Sequence, residues 1–501
     1  MQEKLDIIKE EVKKIQSEDT EMKRAGNRRM RRKMHMDFMI MNGTVFSDGE
    51  FVSCNLGITD GKITYIGKET VPEAEKIIDA KGKYVLPGSI DTHVHIRAPG
   101  REDRETFYTG SMAAAAGGTT LIVEQPICNP TPYNMKNLLF RDSYASRECV
   151  VDYAFYGAAG YQYPEAIEEL KDSGIVAYKT FLTPAVKGRE QEFVNLYMDD
   201  DEKLYEGMKR VAATGLPLMF HAENHNVIKA LERELRKQGK TTGIAHVWSR
   251  PEFTEVETIR KIISFAEVTG TKLIFAHVST AAAMEIIRKA KLSGMEIGCE
   301  TCVHYLTLTE EALETFGPFA KCNPPVRNKE NQDGLWEFVN DGYTVDAIGS
   351  DHSPFLYQEK KSCEDDIFKA PAGLVGIDLR VPLMLDAALR GKTSLENMIK
   401  ILSDKPARML HLEKQKGRIA LGLDADLLLF DPNQKTVVDN TKSYSKTAES
   451  QVVYQGVALQ GKIESTIVRG KEIYGKNRIE PDTAGYGNWI KMENYHIIKK
   501  I

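Results

Sequence analysis

The chain has 501 residues, a formal net charge of −5, 28% charged and 42% hydrophobic residues, a balance ordinary for a soluble globular enzyme and contrary to a polyanion-binding surface or a nucleic-acid partner. That length predicts one large domain with a smaller one appended, or two comparable domains. No apolar run is long enough for a transmembrane helix, and seven cysteines, few and odd in number, disfavour a disulfide framework and fit a reducing, cytoplasmic setting.

Residues 1–36 stand apart. "LDIIKEEVKKIQ" has helical periodicity, and "KRAGNRRMRRK" packs seven Lys or Arg into eleven positions. A nucleic-acid or membrane arm is one reading. A poorly ordered, solvated extension or an upstream start codon read in frame is preferred, because Met34 or Met36 opens onto "DFMIMNGTVF". Acidic residues in its first half disfavour a transit peptide.

Residues 37–88 alternate short apolar runs with NG and DG turn signals, and a similar texture returns over 408–475 in "GRIALGLDADLLLFDP" and "GKIESTIVRGKEIYG". Together these flanks predict one small, discontinuous β-sandwich domain. Between them, over 89–407, strand-length apolar runs alternate with helical segments. Eight candidate strands stand in series: "YVLPGSIDTHVH", "TTLIVEQP", "VDYAFYG", "IVAYKTFL", "LPLMFHAE", "KLIFAHVS", "MEIGCETC" and "VDAIGSD". The predicted fold class is therefore α/β, a (β/α)8 TIM barrel, followed by a C-terminal tail over 476–501.

In such a barrel, groups at the C-terminal ends of strands face the site built by the βα loops. The first run ends on His93 and His95, the fourth carries Lys179, the fifth and sixth end in His221 and His277, and the eighth in Asp351. His93 and His95 are two apart, so on a strand they share a side and reach one ion. Alone, such a pair is more often structural; the further ligand types at later strand ends reverse that reading. His35, His225, His246, His304, His411 and His496 lack the placement or have it ambiguously, and His352 points to the opposite face from Asp351. Lys179 is either a snorkelling or ion-paired lysine or a buried amine of depressed pKa that takes up carbon dioxide as a carbamate. A carbamate has two oxygens and bridges two metals. Cys299 and Cys302 form C-x-x-C, but without a second pair their apolar setting reads as a buried strand.

"DTHVHIRAPG", "AAAAGGTT", "YKTFL", "FHAEN", "FAHVST", "ETCVHYL", "KCNPPVR" and "IGSDHSP", in that order, resemble the motifs of the amidohydrolase superfamily and, within it, of the cyclic amidohydrolases: allantoinases, dihydroorotases and hydantoinases. The resemblance implies two divalent ions per subunit, zinc first among the metals that such ligands accept. It implies His93, His95, Lys179 and Asp351 on the more buried ion, and Lys179 as N6-carboxylysine with His221 and His277 on the other. Asp351 is the implied catalytic residue, taking a proton from water and passing it to the departing nitrogen. The complete ligand set separates the chain from the ligand-poor scaffold proteins of the family, the non-enzyme alternative, and disfavours single-metal deaminases. Homo-oligomers, tetramers or dimers, are also implied.

Departures between the subfamilies bear on the substrate. Arg97, two residues after the second histidine, resembles dihydroorotases and would grip a carboxylate or ureido carbonyl, or else make a surface ion pair. Ile127 stands where dihydroorotases usually have a substrate-binding asparagine, and Pro184 where hydantoinases have an oxyanion-stabilising tyrosine. "SDHSP" is also more similar to the allantoinase form. The expected order is allantoin opened to allantoate, then dihydroorotase, then hydantoinase or dihydropyrimidinase. Arg250 and Glu255 read as loop-ordering residues; Asn323 is a substrate contact or a turn residue before Pro324.

Overall fold

The computed structural model describes residues 36–69 and 74–492; the basic extension predicted over 1–36 lies, but for Met36, outside the described residues. The amino-terminal flank forms β1 (Met36–Ser47), β2 (Glu50–Thr59), β3 (Lys62–Gly67), β4 (Ala74–Asp79) and β5 (Tyr84–Pro87). The two DG pairs make hairpin turns: Asp48–Gly49 joins β1 to β2 and Asp60–Gly61 joins β2 to β3, with φ of 52° and 90°, and 51° and 73°, the left-handed values a two-residue turn needs. The NG pair does not turn the chain. Asn42, at φ 60°, forms a bulge inside β1 where the register shifts between Ile40 and Gly43. Its displaced N–H donates to Asn55 Oδ1 at 3.0 Å, so the bulge leaves no buried donor unpaired.

The eight predicted barrel strands are β6 (Ser89–Val94), β7 (Thr119–Glu124), β8 (Asp152–Ala158), β9 (Ala177–Phe181), β10 (Leu218–His221), β11 (Leu273–Phe275), β12 (Ile297–Cys302) and β13 (Ala347–Gly349). They pair in sequence order in one parallel sheet. Ile90, Leu121, Val123, Tyr156, Met219 and Ile274 form an apolar cluster that Leu410 and Leu412 join, which fills the barrel and leaves polar chemistry to the strands' C-terminal ends.

Backbone and side-chain bonds together close the seam between β6 and β13. His95 N–H donates to His352 O at 2.8 Å; Ser350 N–H donates to Asp91 Oδ1 at 3.0 Å and its hydroxyl to His93 O at 3.2 Å. The fully buried Arg380 donates to Ile348 O at 2.9 Å, Ser89 Oγ at 2.5 Å and Thr119 Oγ1 at 3.1 Å.

The carboxyl-terminal flank supplies β14 (Leu427–Val437), β15 (Ala458–Val468), β16 (Lys471–Gly475) and β17 (Arg478–Ile479). β14 pairs with β5, joining both flanks into one nine-stranded mixed sheet. Alternation along β14 decides its packing: Leu427 and Leu429 face this sheet's own core with Phe38, Leu56 and Ile467, whereas Leu428 and Phe430 join the large core shared with the barrel. The described part of the tail packs on the barrel: Tyr153 N–H donates to Asn488 O at 3.0 Å and Ile490 N–H to Tyr153 O at 2.7 Å. Among the described residues no helix is long and apolar enough to cross a membrane.

Candidate active site

All six groups singled out as ligands converge at one end of the barrel. His93 Nε2 and His95 Nε2, at and just past the end of β6, lie 3.5 and 3.3 Å from Asp351 Oδ1. Ligand atoms of the three fall within 4.8 Å of one another. His221, the last residue of β10, and His277, two residues after β11, form the second half, with Nδ1 and Nε2 3.1 Å apart. The halves adjoin: the rings of His93 and His277 are 5.2 Å apart between centroids. Lys179, within β9, is fully buried, and its Nζ has no hydrogen-bond partner among the described residues. Its charge is felt at His95, His221, His277 and Asp351.

Backbone strain marks the same place. His277 and Asp351 have φ of 39° and 45°, and Arg97 has 69°; an L-residue held in such a region costs about 1–3 kcal/mol, and the surrounding hydrogen bonds must impose it. Behind His277, Thr280 starts the helix Ala281–Leu292 by accepting from Ala283 N–H, which turns the chain away and leaves the imidazole at the barrel mouth.

Carboxylates behind the histidines fix their orientation. Glu300, buried in β12, accepts from His93 Nδ1 at 2.7 Å, from the Thr92 hydroxyl and from His277 N–H at 3.1 Å. His93 Nε2 is thereby turned toward Asp351. Glu223 Oε2 lies 2.9 Å from His221 Nε2 and pairs with Arg250; Glu255 accepts from Ser279 N–H and Oγ, each at 2.8 Å, and so orders the segment after His277. Arg250 and Glu255 thus have the ordering contacts expected of them. Glu300, Glu223 and Thr92 were not anticipated. A carboxylate interrupting the apolar run "MEIGCETC" was the available signal for Glu300, since a buried acid needs a donor.

Burial sets the protonation states. It drives His95, His221 and His277 toward the neutral form, the form that donates a lone pair. Burial lowers the Lys179 amine to about 8 against the pull of Glu300 and Asp351, and raises the Asp351 carboxyl to about 6 against the charges of His93 and Lys179. Burial also opposes ionisation of Glu300, but the charge and hydrogen bond of His93 prevail and hold it below the usual range.

Arg97 is buried rather than at the surface. Its Nη2 donates to Ser353 Oγ at 2.5 Å, its guanidinium lies 5.2 Å from the Phe355 ring centre, and Glu192 is 4.0 Å from Nη1. Nε and Nη1 have no hydrogen-bond partner among the described residues, and neither does the buried Asn323 Oδ1. Ile127 packs with Ala158, Phe193 and Leu196. Pro184 lines a cavity of about 240 Å³ with Leu182, Asp199, Glu223, Asn224 and His225. His352 lies outside the ligand cluster, its Nε2 3.4 Å from Glu105, and Cys299 and Cys302 are buried thiols of β12.

Four imidazoles, one carboxylate and an amine able to become a carbamate are a donor set for two borderline divalent cations. Lys179 Nζ and His277 Nδ1, buried with no hydrogen-bond partner among the described residues, fit that occupancy. A second buried carboxylate group, Asp152, Asp424 and Asp426, does not fit a metal, because Lys416 Nζ already lies 2.5, 2.8 and 2.8 Å from the three.

Residues 84–473 match the model of the amidohydrolase family. The chain is 37% identical over 454 residues to an allantoinase of Bacillus licheniformis, covering 89% of this chain and 97% of that protein. It is 34% identical over 444 residues to an allantoinase of Escherichia coli O1:K1 / APEC, covering 88% and 96%. Among solved structures it is similar to the L-hydantoinase (dihydropyrimidinase) from Arthrobacter aurescens, with a TM-score of 0.86, 31% identity and coverage of 91% and 100%.

Proposed function

Because the chain belongs to the amidohydrolase family, we propose that it is a dinuclear metal-dependent hydrolase that opens a cyclic ureide, with allantoin to allantoate as its reaction. The observation that carries this reading is the convergence of His93, His95, Lys179, His221, His277 and Asp351 around one buried point, with the Lys179 amine left unpartnered. His93, His95 and Asp351 would hold one divalent ion, zinc first, His221 and His277 the other, and Lys179, carboxylated by carbon dioxide, both. When bound, the pair supplies Lewis acidity that makes water nucleophilic near neutral pH and polarises a carbonyl.

The chain's own groups do the rest. Asp351 accepts the proton of the attacking water and delivers it to the ring nitrogen as the C–N bond breaks, a role suited to a carboxyl raised toward neutrality. Arg97, with two donor nitrogens that have no hydrogen-bond partner among the described residues, binds an oxygen of the substrate, and Asn323 Oδ1 accepts from a ring N–H. Ile127 and Pro184 in place of polar groups, and the two allantoinase relatives, favour allantoin. Arg97 supports dihydroorotase as the second reading, since a substrate carboxylate would give its Nε and Nη1 hydrogen-bond acceptors; hydantoinase is third. A cytoplasmic setting accords with seven unpaired cysteines, and the exposed Leu139 and Phe140 accord with a homo-oligomer, dimer or tetramer.

Ring-opening assays of the purified protein on allantoin, dihydroorotate, dihydrouracil and hydantoin, with metal counted per chain, test the reading. Turnover of allantoin with about two ions bound is the expected result. Turnover of dihydroorotate without allantoin overturns the substrate, and a metal-free chain that opens none of the rings overturns the enzyme.

A further inference from the structure

Two buried lysines outside the ligand cluster are held by backbone carbonyls alone. Lys321 Nζ donates to Ile367 O at 2.7 Å and Ala370 O at 2.6 Å. Lys360 Nζ donates to Pro318 O at 2.9 Å and Pro371 O at 3.3 Å. Lys321 is 6% exposed and Lys360 1%, and among the described residues neither has a carboxylate at ion-pair distance. Burying an ammonium without a counter-charge is costly, and an apolar side chain of similar volume would avoid that cost. What the lysines add is cross-linking. Lys321 sits on the segment before Asn323 and reaches the long connection that follows β13; Lys360 sits in the short helix Tyr357–Lys361 of that connection and reaches back to Pro318.

Both stitched segments end at the substrate side of the site. Lys321 is two residues from Asn323, and Lys321 O accepts from Gly373 N–H at 2.9 Å. Gly373 lies against Ser353, where an added Cβ would meet Ser353 atoms at 2.6 Å, and Ser353 N–H donates to Leu374 O at 2.8 Å. Ser353 in turn receives the Arg97 guanidinium. One continuous run of contacts therefore joins the two lysines to Asn323 on one wall and to Ser353 and Arg97 on the other.

The geometry points to Lys321 and Lys360 as positioning residues, a double lysine clasp that sets the spacing between the Asn323 wall and the Ser353–Arg97 wall and thereby the fit of the ring before it is opened. This inference rests on the proposed roles of Asn323 and Arg97. Displacing the Asn323 wall by a fraction of an ångström weakens substrate positioning, and none of the six candidate ligands lies on the segment 318–323. K321M is thus expected to raise KM for allantoin about ten-fold, with kcat within about three-fold of the parent and the bound metal unchanged.

A double-variant cycle makes the test specific. If Lys321 acts through Asn323, K321M/N323A has the kcat/KM of N323A within about two-fold. Amide hydrogen exchange of K321M and of K360M should rise together in residues 318–323 and 367–374 and stay unchanged in β6 and β10. Loss of kcat and metal with KM unchanged, full additivity of the two substitutions, or exchange rising throughout the barrel or in neither segment would overturn the clasp. Should the parent protein open none of the rings, the substrate reading fails by itself, and the exchange pattern alone decides whether the clasp exists.

Discussion

Replacing Glu300 with glutamine keeps the shape of a fully buried side chain and removes its charge. Glu300 Oε1 accepts from both His93 Nδ1, at 2.7 Å, and His277 N–H, at 3.1 Å, while Oε2 takes the Thr92 hydroxyl. A glutamine oxygen at the first position preserves both bonds without charge assistance, and its amide then faces Thr92; the flipped amide would point its hydrogens at two donors. A hydrogen bond to a charged group contributes about 1.5–3 kcal/mol and a neutral one about 0.5–1.5. Two bonds into ligand residues weakened by roughly 1 kcal/mol each give about 2 kcal/mol, or about 30-fold in metal affinity, within the range for groups that orient metal-binding histidines. Competition against a chromophoric chelator reads the affinity directly, and turnover at saturating metal should return to within about three-fold of the parent. Unchanged affinity would refute the orienting role. Lost turnover that excess metal does not restore would show that Glu300 acts on the reaction itself.

Asp351→Asn should lower kcat by about 10²–10⁴-fold with metal still bound; full turnover by a metal-loaded variant would end its assignment as proton carrier. Only the neutral Lys179 amine captures carbon dioxide, and burial brings that amine to about 8. Reactivation of metal-free protein by zinc at fixed dissolved carbon dioxide should therefore accelerate as pH rises through about 8, and a rate flat across that range would count against a carbamate. Lys416→Met would strand Asp152, Asp424 and Asp426, all buried, with Arg469 and Lys62 as their remaining cationic partners among the described residues. A loss of about 3–5 kcal/mol in urea unfolding is expected, and a loss below about 1 kcal/mol would mean the cluster relaxes or takes up another cation.

The eight barrel strands and the six residues that converge at one end of them were legible because both signals are local: apolar runs of strand length, each closed by a residue type that has no reason to follow one. Partner choice was not legible. The run "YVLPGSIDTHVH" reads as one strand, yet Tyr84–Pro87 pairs with β1 and β14 whereas Ser89–Val94 enters the barrel. The break falls at Gly88, where an added Cβ would lie 2.2 Å from Thr120 Oγ1; that crowding depends on a strand 31 residues away. Asn42–Gly43 carries the same dipeptide signal as a hairpin, and only the distant Asn55 side chain makes it a bulge. Glu300 was passed over for a related reason, since its donors His93 and Thr92 lie more than 200 positions earlier. Arg97 stands out by its place beside the histidines, but whether it is a surface residue or a buried one bonded to Ser353 depends on loops that no local pattern describes.

The seam between β6 and β13 sets an order of assembly. The histidine half formed by His221 and His277 spans 56 positions, a loop that closes early in synthesis. The half formed by His93, His95 and Asp351 needs the first and last barrel strands together, 259 positions apart at the Asp91–Ser350 stitch. On the proposed dinuclear reading, a nascent chain would display one imidazole pair before the other half of the site forms, and capture of both ions would wait until the last strand has docked. Occupancy by both ions would then record that the barrel has closed.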